Sequence, residues 1–114
     1  MDFKSAIQAH LQWKLKLASY LRKPDGTLNA ATIEPDNRCE LGQWIHGAGA
    51  VHAAHPEFSA LKQSHARFHH AAADVVRKVD AGKVVTEEIA VGSKSEFGSA
   101  SSECVKLLLT LSFK

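Results

Sequence analysis

Apolar residues recur at helical spacing along almost the whole chain, and this periodicity constrains the fold more than any other feature of the sequence. Phe3, Ala6, Ile7, His10, Trp13, Leu17 and Leu21 fall on one face of a helix expected over residues 2–22, with Asp2 as its cap. Lys23-Pro24-Asp25-Gly26 stops it. Leu11, Leu15 and Ala18 widen the apolar arc beyond what one core face uses, which predicts contact with a second subunit. After a loop over 23–37, Asp36 or Asn37 is placed to cap a short helix over 39–46, and Gly47 and Gly49 end it. A third helix is expected from Pro56, a residue suited to a first helical turn, to Ala81, with Gly82 as the stop. Its stripe is Phe58, Leu61, His65, Phe68, His69, Ala72, Val76 and Val79.

The last helix has two credible starts, Thr86-Glu87-Glu88 and Ser93-Lys94-Ser95-Glu96, the second a capping-box pattern. Its core stripe runs Phe97, Ala100, Cys104, Leu107, Leu108 and Leu111, with Val105 and Leu109 beside it as a second apolar strip. No strand-like alternation competes. The expected class is all-α, and short connections favour an antiparallel bundle.

The 114 residues fit one domain, 1–114. A formal net charge of +2 without a run of Lys or Arg argues against a nucleic-acid partner. Asp2, Lys4, Lys14, Lys16 and Arg22 interrupt the first segment, so it does not read as a signal peptide. The apolar run at 107–111, broken by Thr110, is too short for a membrane span. The cytoplasm is the expected compartment. Cys39 and Cys104 do not make a disulfide framework there.

Histidine is the unusual residue: there are 7, and His10, His65 and His69 stand where the stripes want apolar side chains. A single inward histidine is commonly a core residue satisfied by a hydrogen bond. Three of them in a small bundle each need a partner, and one metal ion serves all three. His65 and His69, four apart, project from adjacent turns of one face, a spacing that chelates a divalent cation. Cys39, near the start of the short helix, is placed for the free amides there to favour its thiolate, the form that binds metal. Three His and one Cys make a closed tetrahedral set that suits zinc in a structural or regulatory role.

His10-x-x-Trp13, Cys39-x-Leu41-Gly42-x-Trp44, His55-Pro56-Glu57-Phe58 and His65-x-x-x-His69 follow one another in an order that resembles the chemoreceptor zinc-binding domain family of bacterial chemoreceptors and some diguanylate cyclases. The resemblance implies a four-helix bundle with an added short helix carrying the Cys-x-Leu-Gly-x-Trp motif, often dimeric. It implies zinc on His10, Cys39, His65 and His69, and a sensory role toward zinc or oxidants that regulates an attached or separate output protein. His70, His46 and His52 read as solvated, His55 as a cap of the third helix, and Cys104 as an inert core thiol. The competing class is a metalloenzyme or a hemerythrin-like di-iron bundle. That bundle would want inward carboxylates, whereas Glu57, Asp74 and Glu103 lie off the stripes. Catalysis by zinc would want an open position, which Cys39 fills.

Overall fold

The computed structural model describes residues 2–113, and among them every regular element is helical. Three are long: α1 (Phe3–Arg22), α4 (Pro56–Asp80) and α6 (Glu96–Ser112). Three are short: α2 (Ala30–Ile33), α3 (Glu40–Ile45) and α5 (Glu87–Val91), and a 3₁₀ turn covers Ala48–His52.

The helix ends follow local chemistry. Asp2 caps α1 by accepting from the Lys4 amide. Pro56 opens α4, and Gly82 takes the left-handed φ of +79° that ends the helix beyond Ala81. Both candidate starts near the C-terminal end are used. Thr86 caps α5 through the Ile89 amide, and Ser95 caps α6 through the Gly98 amide. Gly92, Ser93 and Lys94 form the break between them. In the capping-box pattern the capping residue is therefore Ser95, not Ser93. The short helix α3 is capped by Cys39 itself, whose sulfur accepts from the Gly42 amide, and not by Asp36 or Asn37. His55 occupies the N-cap position of α4 without a side-chain cap bond, so its expected capping role is confined to its backbone. α2 lies in the stretch read as loop, with Asn29 capping it through the Ala31 amide.

The long helices pack on one another around Leu17, Leu61, Phe68, Val76, Phe97, Leu108 and Leu111, all at most 1 % exposed. Contacts at their ends fix their directions. Phe3 at the start of α1 and Phe58 at the start of α4 both meet Trp44, while Tyr20 near the end of α1 donates to Asp80 at the end of α4. α1 and α4 thus run the same way, where antiparallel neighbours were expected. The reason is the length of the segment between them, which carries α2, α3 and the 3₁₀ turn back along the molecule. α6 begins opposite Arg67 and Phe68, and α5 packs on α1 and α6 near the 71–78 stretch of α4. α6 is left to run against the N-terminal half of α4.

Leu11 and Leu15 are exposed at 54 % and 70 %, as their place outside the core stripe predicts. Ala18, grouped with them from the sequence, is buried in the core instead; α5 packs against α1 and pairs Glu87 with Arg22, covering the last turns of α1 where Tyr20 is also buried.

Candidate metal centre

Four side chains from three parts of the chain converge inside the fold. His10 comes from the middle of α1, His65 and His69 from successive turns of α4, and Cys39 from the N-cap of α3. Their ligand atoms all lie within 4.8 Å of one another. The Cys39 Sγ is 3.3 Å from His65 Nε2 and 3.5 Å from His69 Nε2, and the two Nε2 atoms are 3.0 Å apart. The three histidines are buried and Cys39 is partly so. The four residues singled out in the sequence are the four the fold brings together.

The surroundings aim the imidazoles. His10 Nδ1 donates to the Ala6 carbonyl at 2.7 Å, one turn back on α1. His69 Nδ1 donates to the Ile33 carbonyl at the end of α2, also at 2.7 Å. A carbonyl oxygen only accepts, so Nδ1 carries the proton and the Nε2 lone pair faces the cluster in both neutral rings. Burial is the main cause that lowers the pKa of all three histidines, and for His65, which also faces His69 and His10, it falls to about 3. Neutral imidazole, the ligand form, is therefore their state at neutral pH.

Cys39 departs from the expectation. Burial pushes its thiol above the ordinary value and outweighs the Gly42 amide bond that pulls the other way. The helix start alone does not make it a thiolate; a neighbouring cation would. Gly42 is needed for the approach, since a Cβ there would collide with the Asp36 carbonyl.

The donor set fits zinc. Bonds of about 2.0–2.1 Å to nitrogen and about 2.3 Å to sulfur place ligand atoms about 3.3–3.6 Å apart at tetrahedral angles, close to the three separations between Cys39, His65 and His69. Without an ion, the single lone pair of His69 Nε2 would have to serve as acceptor for both His65 Nε2 and the Cys39 thiol, so hydrogen bonds satisfy this triangle less fully than one shared cation does. Among the described residues no carboxylate belongs to the cluster.

The chemoreceptor zinc-binding domain model matches residues 10–76, a stretch that holds all four side chains. The chain belongs to that family. Zinc is the family's metal, and the His/Cys cluster suits it. Neither the curated proteins nor the solved structures contain a match to this chain.

The remaining histidines lie outside the cluster. His70 is exposed and bonds Glu34 on the far side of α4, and His46 is exposed with Asp36 at 3.6 Å. His52 is half-buried rather than solvated, packed on Trp44 and Phe3. Cys104 is fully buried and its thiol is pushed up to about 12, chiefly by that burial. Sequence reasoning missed the backbone groups that orient the clustered imidazoles, above all the Ile33 carbonyl. Asn29 before an apolar stretch ending in Ile33 was the signal for the small helix that carries it.

Proposed function

We propose that this chain is a zinc-binding sensory or regulatory domain of bacterial signalling, in chemotaxis or cyclic-di-GMP control. One zinc is held by His10, Cys39, His65 and His69. The observation that carries the reading is the convergence of three neutral, buried imidazoles and one thiol, from three parts of the fold, on one point. A closed donor set of this kind leaves no coordination position for substrate, which favours regulation over catalysis. Family membership supports the signalling context. Among the described residues no helix is long and apolar enough to cross a membrane, and we place the domain in the cytoplasm, docked to an attached or separate output protein.

Residues 1–114 form one domain in this reading, a four-helix bundle with the added short helix α3. The mutual packing of α1, α4 and α6, with α5 against α1 and α6 as the fourth piece, supports the four-piece arrangement. The antiparallel component is α6, since α1 and α4 share a direction. A homodimer forms through the exposed Leu11, Leu15 and Leu109.

Zinc loss, or oxidation of Cys39, is the signal. A two-electron oxidant such as hypochlorous acid transfers its oxygen to the sulfur with loss of chloride, and the resulting sulfenate is a poorer ligand. Cys104, fully buried, is the internal control.

Elemental analysis of the purified protein tests the site. One zinc per chain is expected, with metal content lost and melting temperature lowered in His10→Ala, His65→Ala and Cys39→Ser. Wild-type metal content in all three variants overturns the ligand assignment. Two irons per chain would restore the di-iron alternative.

A further inference from the structure

On the outer face of the metal centre, α2 is fastened to α4 by a charged clasp. Glu34, the residue that ends α2, receives both arms of the Arg77 guanidinium, at 3.0 Å from Nη1 and 2.9 Å from Nη2. His70 Nδ1 bonds the same carboxylate at 3.2 Å. The residue before Glu34 is Ile33, whose side chain is buried and whose carbonyl accepts the His69 Nδ1 proton. The clasp and the carbonyl that orients a metal-facing imidazole are thus neighbours in one short segment.

α2 has only 4 residues, too few to hold a helix without tertiary support. Its attachments are the apolar packing of Ile33 and Ala30, the His69–Ile33 bond and the Glu34 clasp. A forked guanidinium–carboxylate pair is the strongest of the exposed ion-pair geometries and fixes direction as well as distance. A shift of the Ile33 carbonyl would free His69 to rotate about its side-chain bonds, and outer partners of this kind commonly change metal affinity by about 10- to 100-fold when removed directly.

We propose that Arg77 and Glu34 are positioning residues for the metal: by clasping α2 to α4 they hold the Ile33 carbonyl on His69 Nδ1 and so raise zinc affinity without touching the ion. This rests on the zinc reading above. It also makes α2 responsive in the reverse direction, because a metal that fixes His69 strengthens the docking of the segment that ends in Glu34.

The test is zinc affinity by chelator competition at one fixed pH and salt concentration, with cobalt(II) absorption as a report on coordination. Arg77→Gln and Glu34→Gln should each weaken zinc binding by roughly 3- to 10-fold, less than removal of a direct partner, while cobalt spectra keep their four-coordinate form. The double variant should be no weaker than either single one, since the two act as a pair. Arg77→Lys should recover part of the affinity. Arg67→Gln is the control, because Arg67 is an exposed α4 arginine that pairs with Glu96 and not with Glu34. In metal-free Arg77→Gln, the His69 Nδ1 proton should exchange faster with water, a change that a general loss of stability in α4 would also produce in Arg67→Gln. Affinity within 2-fold of wild type in both clasp variants overturns the proposal, as does an equal loss in Arg67→Gln. Absence of stoichiometric zinc in the wild type is a different result: it removes the metal reading itself.

Discussion

Two residue-level features make the centre sensitive to small changes. Gly42 lies where its amide reaches the Cys39 sulfur and its missing side chain makes room for the Asp36 carbonyl. Gly42→Ala keeps helix propensity and even improves it, yet the added methyl must displace backbone, so Cys39 moves with its cap. The expected result is zinc affinity at least about 10-fold weaker, comparable with loss of an outer partner, measured by chelator competition. A variant that binds as wild type would show that the loop gives way freely. The histidines predict a pH dependence. Burial lowers their pKa in the folded protein below the ordinary 6.5, to about 3 for His65. Between those values the unfolded chain binds more protons than the folded one, so acid favours unfolding. The metal-free protein should hold its denaturation midpoint above about pH 7 and lose stability steadily as pH falls through 6.5. A flat profile down to pH 5 would contradict the burial of the three rings.

At the scale of elements, the long helices were legible because periodicity, caps and stops agreed. Asp2, Pro56 and Gly82 mark boundaries that the structure reproduces nearly to the residue. The three cluster histidines were legible for the same reason: a polar side chain inside an apolar stripe faces the core wherever the helix packs. What the sequence hid was set by partners remote in the chain. α2 exists because Ile33 and Glu34 find α4, and the shared direction of α1 and α4 follows from how a long connection folds back, neither of which leaves a periodic trace. Cys39 read as an activated thiol because its helix start was visible and its burial was not. The outer arc of α1 carries a further expectation. Leu11, Leu15 and Leu109 remain exposed in the monomer, and Leu11 and Leu109 line one apolar groove with Val105 between α1 and α6. Leu15→Glu combined with Leu109→Glu should shift light scattering from dimer to monomer at tens of micromolar protein while zinc content stays at one per chain. A wild-type chain that is already monomeric at that concentration would remove the dimer from the reading.

For the molecule as a whole, the four cluster residues come from segments far apart in the chain, which the proposed metal would tie together. Cys39 is 26 residues from His65 and 30 from His69, and His10 lies on another helix altogether. Only His65 and His69 belong to one element, and that arrangement sets an order of events in time. As soon as α4 coils, its two imidazoles form a ready bidentate landing place, whereas Cys39 and His10 arrive only after longer loops have closed. The ion's journey should therefore begin on α4, and its escape should begin with the latecomers. In stopped-flow mixing, His65→Ala and His69→Ala should slow capture, while His10→Ala should leave capture nearly unchanged and shorten the residence time. Equal capture rates in all three would mean that the pocket is complete before the ion reaches it. On this schedule α4 acts as the harbour and α1 as the bolt, and in the proposed sensory role the first helix of the chain would set how long a response outlasts zinc withdrawal.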